Sequence, residues 1–286
     1  MSESVDTVSA AALRPTEREA FDVWRSIIRA EAEQVERVRE PEPSEDFYAP
    51  IARRFRPGGR ASLELDALLD LAEPGDTWLD IGAGGGRLTI PIAEQVSRVI
   101  ALDPSESMRD TLRAAMDEAG RTNIEVVEGR WPVEGWDEPV DVSLAAHSIY
   151  DIAEIEPFLD AMEEHSRRRC VVVLGQLARG AQLGRLFEEI HGEPLIALPA
   201  LREFVAILGA RQRRYEVRTV GTGEAVELHD PEDAYAFGRR LMWLAPGSPR
   251  EERMRALLDE WYGTPEGIAL PSARPFIGVV SWEPPA

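Results

Sequence analysis

The chain has a single cysteine, Cys170, among its 286 residues, so no disulfide can close within it and no paired-cysteine zinc site can be built. Set in the apolar run Cys-Val-Val-Val-Leu-Gly, that thiol reads as a small buried hydrophobe. The four histidines, His147, His165, His191 and His229, lack the close spacing of metal ligands, and no metal is expected. No G-x-S-x-G elbow occurs, which removes the serine chemistry of that motif. No window approaches the roughly 20 consecutive apolar residues of a membrane span. The opening MSESVDTVSA lacks the charged-then-apolar order of a secretory signal, so a cytoplasmic protein without a membrane partner is expected. Positive charge is also in deficit: 32 Lys and Arg against 52 Asp and Glu leave a net −20. Such a field repels a phosphate backbone, and nucleic acid is not an expected partner. The two basic stripes, 167–169 and 211–214, each precede a predicted strand and read as solvated helix ends that complement the dipole.

What is present is a core-forming pattern. Hydrophobic residues make up 44% of the chain, enough for one large α/β domain or two small ones. The first dozen residues read as a disordered tail. Thr16-x-x-Glu19 then forms a capping box that opens a helix carrying Phe21, Trp24, Ile27, Ile28, Val35 and Val38 on one face, ended by Pro41 and Pro43. A second helix shows Leu65, Leu68, Leu69 and Ala72 at helical spacing. Strand signals follow at 78–81, 99–103, 124–127, 140–146 and 171–174, with helices between them that include 105–119 and 157–168. That alternation implies parallel strands joined by right-handed crossovers, and runs such as VVVL imply strands covered on both faces. Beyond the fifth strand come two amphipathic helices, around 183–190 and 201–208, and a half-exposed strand at 214–220. Asp230-Pro-Glu-Asp233 and Ser248-Pro-Arg-Glu251 start two more helices, each with a cap residue and proline at the first helical position. A closing strand runs 276–282. No internal repeat is present.

The most informative stretch is 77–93, TWLDIGAGGGRLTIPIA: a short strand ending in an acid, a glycine-dense turn, then helix. Glycines there let backbone approach a ligand, and the following helix offers free N–H groups. Twenty-one residues after Gly82 a second strand ends in Asp103, where a ribose hydroxyl pair would find a carboxylate. A nucleoside-containing cofactor is implied. The dinucleotide fingerprint would need a glycine where Arg87 stands. The observed spacing, Asp80-Ile-Gly82-Ala83-Gly84-Gly-Gly86, resembles instead the first motif of the class I S-adenosylmethionine-dependent methyltransferases, D/E-x-G-x-G-x-G.

That resemblance implies S-adenosylmethionine as cofactor and an α/β doubly wound, seven-stranded, mostly parallel sheet of order 3-2-1-4-5-7-6 with the last strand antiparallel. It implies a flexible tail and cover helix in 1–45 and a methyltransferase domain in 46–286. Within that domain the cofactor-binding core spans 75–175, and helical covers lie at 181–212 and 230–262. It further implies that Asp80, Gly82, Ala83, Gly84 and Gly86 hold the methionine end, with Asp103 and Pro104 at the ribose and Met108 beside the adenine. Asp80 either orients the methionine amino group or caps the glycine turn. After the third strand, Gly129-Arg130-Trp131 departs from the family, many members of which have an aspartate after that glycine to accept from the adenine amino group. Arg130 has no acceptor. Trp131 either stacks on the ring or plugs the loop before Pro132.

The fourth strand ends in Ala-Ala-His147-Ser-Ile-Tyr150, where such enzymes meet the transferring methyl. His147 is the candidate general base and Tyr150 the candidate orienter of the acceptor; the other reading of His147 is a cofactor-lining residue. Tyr48 and Arg53 lie where relatives fold a lid, with Arg53 either pairing with the cofactor carboxylate or lying in solvent. The N/D-P-P-Y motif is absent, which disfavours methylation of base or amide nitrogen. The expectation is methyl transfer to a small-molecule oxygen or nitrogen acceptor. The alternatives are a catalytically silent cofactor-binding subunit and an NAD-dependent oxidoreductase. Neither the acceptor nor the oligomeric state is legible.

Overall fold

A computed structural model describes residues 14–42, 46, 48–49, 51–58, 63–178, 180–221, 226–271 and 276–285; the tail read from the first dozen residues lies outside them. Helix α1 (Glu17–Val38) begins as its capping box dictates: the Glu19 N–H donates to Thr16 Oγ1 at 3.3 Å and the Thr16 N–H donates back to Glu19 Oε2 at 2.8 Å. Its inner face buries Phe21, Trp24 and Ile28. The Trp24 indole N–H donates to the Ile152 carbonyl at 2.9 Å, so α1 is packed into the main core. Helix α2 (Leu65–Leu69) is shorter than its apolar spacing suggested.

Seven strands form the main sheet: β1 (Thr77–Ile81), β2 (Arg98–Asp103), β3 (Ile124–Glu128), β4 (Val140–Ala146), β5 (Ser166–Gly175), β6 (Tyr215–Gly221) and, last in the chain, β10 (Phe276–Trp282). Their order is β3-β2-β1-β4-β5-β10-β6, and β10 runs antiparallel to both neighbours. Because β10 is the seventh strand to join this sheet, the order is the 3-2-1-4-5-7-6 implied by the glycine motif. Helices cover both faces. One face carries α1, α5 (Ile155–His165) and α7 (Leu201–Ala210); the other carries α2, α3 (Thr89–Ala93) and α4 (Glu106–Ala119). Val171, Val172 and Val173 on β5 are wholly buried, as strands covered on both sides require.

A third apolar cluster lies apart from the sheet. It joins α6 (Gly184–His191), α8 (Pro231–Leu241) and α9 (Pro249–Tyr262) to a small antiparallel sheet of β7 (Val226–Leu228), β8 (Gly263–Thr264) and β9 (Gly267–Leu270). Val38 at the end of α1 reaches into it. Among the described residues no helix is long and apolar enough to cross a membrane.

Both basic stripes differ from the solvated helix ends expected of them. Helix α5 stops at His165, so 167–169 lie inside β5, where acids and carbonyls meet the arginines. Arg168 pairs with Asp76 and donates to the Leu71 carbonyl at 3.1 Å, and Arg167 lies 3.5 Å from Asp141. Arg211 is buried: its guanidinium lies 2.6 Å from Asp160 and 3.1 Å from Glu163. Arg213 and the Trp282 indole N–H converge on the same Glu163, at 2.7 and 2.9 Å. A buried carboxylate needs several donors at once, and these cations supply them.

Candidate functional site

The chain turns at the end of β1 through Gly82–Gly86. The Gly82 and Ala83 N–H groups donate to the Leu102 carbonyl at 2.8 and 3.2 Å, which stitches the bend to the tip of β2. Gly84 has φ +57°, a left-handed conformation that favours glycine, and its N–H donates to Asp103 Oδ2 at 2.8 Å. The other carboxylate oxygen of Asp103 accepts from the Ser105 N–H at 2.8 Å. Burial raises the Asp103 pKa, an effect these two hydrogen bonds and the Arg109 guanidinium partly oppose. Asp80 is buried and accepts from Thr89 Oγ1 at 2.6 Å. Burial pushes its pKa to about 6; Thr89 resists that, the charge of Asp103 adds to it and Arg87 lowers it.

These groups border one cavity of about 280 Å³. Asp80, Gly82, Ala83 and Gly84 line it from the glycine bend, and Asp103, Pro104 and Met108 from the tip of β2 and the start of α4. Gly129, Arg130, Trp131 and His147 line its far side, and Tyr48 lies over it. Gly86, Tyr150 and Arg53 are outside the lining. At Gly86, φ is +87° and an added Cβ would fall 2.6 Å from Leu112 Cδ1, so that glycine serves the packing of the loop on α4. Arg53 is exposed. Trp131 is buried, its indole N–H donating to the Phe158 carbonyl at 3.1 Å and its ring edge-on to Trp136 and His165. That is the geometry of a plug with one side on the cavity.

His147 follows β4 at φ +58°, and its N–H donates to the Val173 carbonyl at 2.9 Å. Its ring contacts the protein through both nitrogens. Nδ1 lies 3.2 Å from the Tyr150 hydroxyl, whose oxygen accepts from the Gly175 N–H at 2.8 Å. Nε2 lies 3.4 Å from Glu64 Oε1. Glu64 is buried and takes Arg87 Nη1 at 2.8 Å on the same oxygen. Burial alone would raise its pKa, but the facing His147 imidazole and the charge of Arg87 outweigh it and hold the carboxyl at about 2.

The segment bearing Tyr48 crosses the glycine bend as a strap. Phe55, at the end of a 3-10 turn (Ala52–Phe55), stacks edge-on to Tyr48 with centroids 5.9 Å apart, and its carbonyl accepts the Arg87 N–H at 3.0 Å. Asp46 accepts from Ser105 Oγ and from the Ser107 and Tyr48 N–H groups. Against the cost of burial, those bonds lower its pKa to about 2. Glu64, Arg87, Phe55, Ser148 and Asp151 escaped the reading of the sequence. Only Arg87 carried a signal, as the residue standing in the last fingerprint glycine's place.

The donor set suits an adenosyl amino acid. A carboxylate at the tip of β2 would suit a hydroxyl pair and a buried carboxyl at the tip of β1 an ammonium, and a bare-backbone bend lies between them. Residues 79–168 match the family model described as a methyltransferase domain. An uncharacterised protein of Haemophilus influenzae is 30% identical over 93 residues, which are 32% of this chain and 34% of that protein. The chain thus matches about a third of that relative's length. Among solved structures, the YcgJ protein of Bacillus subtilis superposes with a TM-score of 0.56 at 14% identity, covering 78% of this chain and 99% of its own. A SAM-dependent methyltransferase of Thiobacillus denitrificans, solved with S-adenosyl-L-homocysteine, gives 0.52 at 16% identity, covering 85% of this chain and 98% of its own. At such identities the likeness is one of fold.

Proposed function

Because the chain carries a domain of the class I S-adenosylmethionine-dependent methyltransferases, we propose that it transfers a methyl group to a small-molecule oxygen or nitrogen acceptor. The observation that carries this reading is the convergence of Asp80, Gly84 and Asp103 on one cavity, with the Gly84 N–H tied to the Asp103 carboxylate. Asp103 holds the ribose hydroxyls, Asp80 takes the methionine ammonium and Met108 packs beside the adenine. Arg130 offers the adenine no acceptor, so backbone groups near Gly129 read its amino group. When bound, the cofactor supplies an electrophilic methyl on sulfonium, so the protein's task is to hold the acceptor in line and keep water out. Tyr48 and Phe55 over the glycine bend support water exclusion. We assign α1 and the helices of the third cluster to the cover around the acceptor.

His147 remains the catalytic candidate nearest the cavity, with Tyr150 behind it. The Tyr150 hydroxyl on Nδ1 and the Glu64 carboxylate facing Nε2 favour a lining role over direct proton removal. That engagement, with Arg130 in place of an aspartate, also keeps open a second reading, a subunit that binds the cofactor without turnover. Isothermal titration with S-adenosylhomocysteine should give a dissociation constant near micromolar, and Asp103→Ala should weaken it at least about tenfold. Absence of binding at millimolar ligand would end the assignment. Release of labelled methyl groups across a panel of metabolites separates enzyme from silent subunit.

A further inference from the structure

Glu64 belongs to no motif. It stands at the N-cap position of α2, outside the strand tips that form the cavity, yet it is 1% exposed and touches two residues that line it. One oxygen meets Arg87 Nη1 at 2.8 Å and His147 Nε2 at 3.4 Å. A buried carboxylate is costly unless opposite charge faces it, and here a guanidinium and an imidazole from different elements face one oxygen at ion-pair distance, neither with hydrogen-bond geometry.

The consequence lies in the imidazole. An ionised carboxylate only accepts, so a carboxylate oxygen 3.4 Å from Nε2 favours hydrogen on that nitrogen over a second lone pair facing it. In the neutral ring Nδ1 is then the acceptor, and the Tyr150 hydroxyl is arranged to serve it. The Gly175 N–H donates to the phenol oxygen, and the phenol hydrogen can serve an unprotonated Nδ1 3.2 Å away. The backbone of His147 is pinned as well, at φ +58° with its N–H on Val173.

We propose that Glu64 is a positioning residue of this site: it fixes His147 as the Nε2–H form and holds the Arg87 side chain at the glycine bend. The proposal rests on the cofactor reading above only for the purpose of that positioning. The Arg87 backbone N–H donates to the Phe55 carbonyl at 3.0 Å, so the same residue is tied to the strap and to Glu64. One carboxylate thereby ties α2, the bend and the tip of β4 into a single rigid wall.

The test reads the ring and the ligand separately. In full-length protein labelled with 15N-histidine and free of ligand, two-bond proton–nitrogen spectra at neutral pH should show His147 with a protonated, pyrrole-like Nε2; His147→Gln assigns the signal. An unprotonated Nε2 in the wild-type protein overturns the proposal without need of a Glu64 variant. Glu64→Gln should populate the other tautomer and weaken S-adenosylhomocysteine binding about tenfold, while Glu64→Asp restores part of both. A folded Glu64→Gln protein with unchanged tautomer and affinity also overturns it. Failure of the wild-type protein to bind S-adenosylhomocysteine, with the Nε2–H form present and sensitive to Glu64→Gln, overturns the methyltransferase reading and leaves Glu64 as the residue that sets the ring.

Discussion

Two buried carboxyls face the same cavity, and each favours a cationic ligand more strongly when ionised. With Asp80 titrating at about 6, burial makes the free protein prefer its protonated form at acid pH. An ammonium bound beside it reverses that preference, so binding must release a proton below this value and release none well above it. S-adenosylhomocysteine affinity, measured calorimetrically, should therefore weaken as pH falls below about 6, by at most about tenfold per unit, and level off above 7. Asp80→Asn should flatten the profile. A wild-type profile already flat would assign Asp80 to the glycine turn alone. The glycines separate in the same spirit. Gly84→Ala has room, its Cβ reaching only 3.8 Å from Met108 Sδ, so its cost is the left-handed φ, about 1–2 kcal/mol. Gly86→Ala adds a clash 2.6 Å from Leu112 Cδ1 and should lose about 2–4 kcal/mol in urea unfolding. Equal losses at both positions would count against this division of labour.

The strap over the bend is held at each end by a different element. Asp46 satisfies the N-terminus of α4, and Arg54 lies 2.8 Å from Asp233 on α8 of the third cluster. Exposed pairs contribute little to stability, so Arg54→Ala should hardly move the melting temperature. Asp46→Ala removes the hydrogen bonds from Ser105, Ser107 and Tyr48 that order the strap on the cofactor side, and should weaken S-adenosylhomocysteine binding several-fold with a small change in melting temperature. A large loss of stability with unaltered affinity would make the strap a structural clamp only. These contacts show why sequence reading succeeded unevenly. The strands at 124–128 and 140–146 and the capping box at Thr16 are local patterns, legible from neighbours a few positions apart. The same holds for the places of Asp80, Gly84 and Asp103 on the cavity, which follow from their distance to strand ends. Glu64 meets Arg87 and His147, and Arg211 meets Asp160 and Glu163, across intervals that no periodicity encodes. Polar pairs between elements therefore stayed hidden, and Arg211 was misread as solvated for that reason. The start of β5 was mistaken likewise, because Arg167, Arg168 and Arg169 look like a helix end until Asp141, Asp76 and Ser281 are seen to receive them.

At the scale of the molecule, charge and architecture pull in different directions. The net −20 favours expansion through self-repulsion, and every one of the 32 cations is an arginine, placed chiefly in pairs with acids. The two large apolar clusters share the main sheet and are bound together by its strands. The third has its own helices and small sheet, and it meets the rest through Val38 and through polar links such as Arg54–Asp233 and the Gln34 side chain, whose Oε1 accepts from the Ile196 N–H at 2.8 Å. Units joined mainly by polar contacts open at lower free energy than the strands they cover. Native-state hydrogen exchange should accordingly show amides of α8, α9 and β9 exchanging faster than those of β1, β4 and β5, by an opening free energy lower by about 2 kcal/mol or more. Moderate salt should narrow the gap by screening the like charges on the two units. S-adenosylhomocysteine should slow exchange at the tips of β1 and β2 and in the strap first, and at α8 only as far as Arg54 carries the effect. Uniform protection across both units, with or without ligand, would mean that the third cluster folds and unfolds with the sheet and is no separate cover.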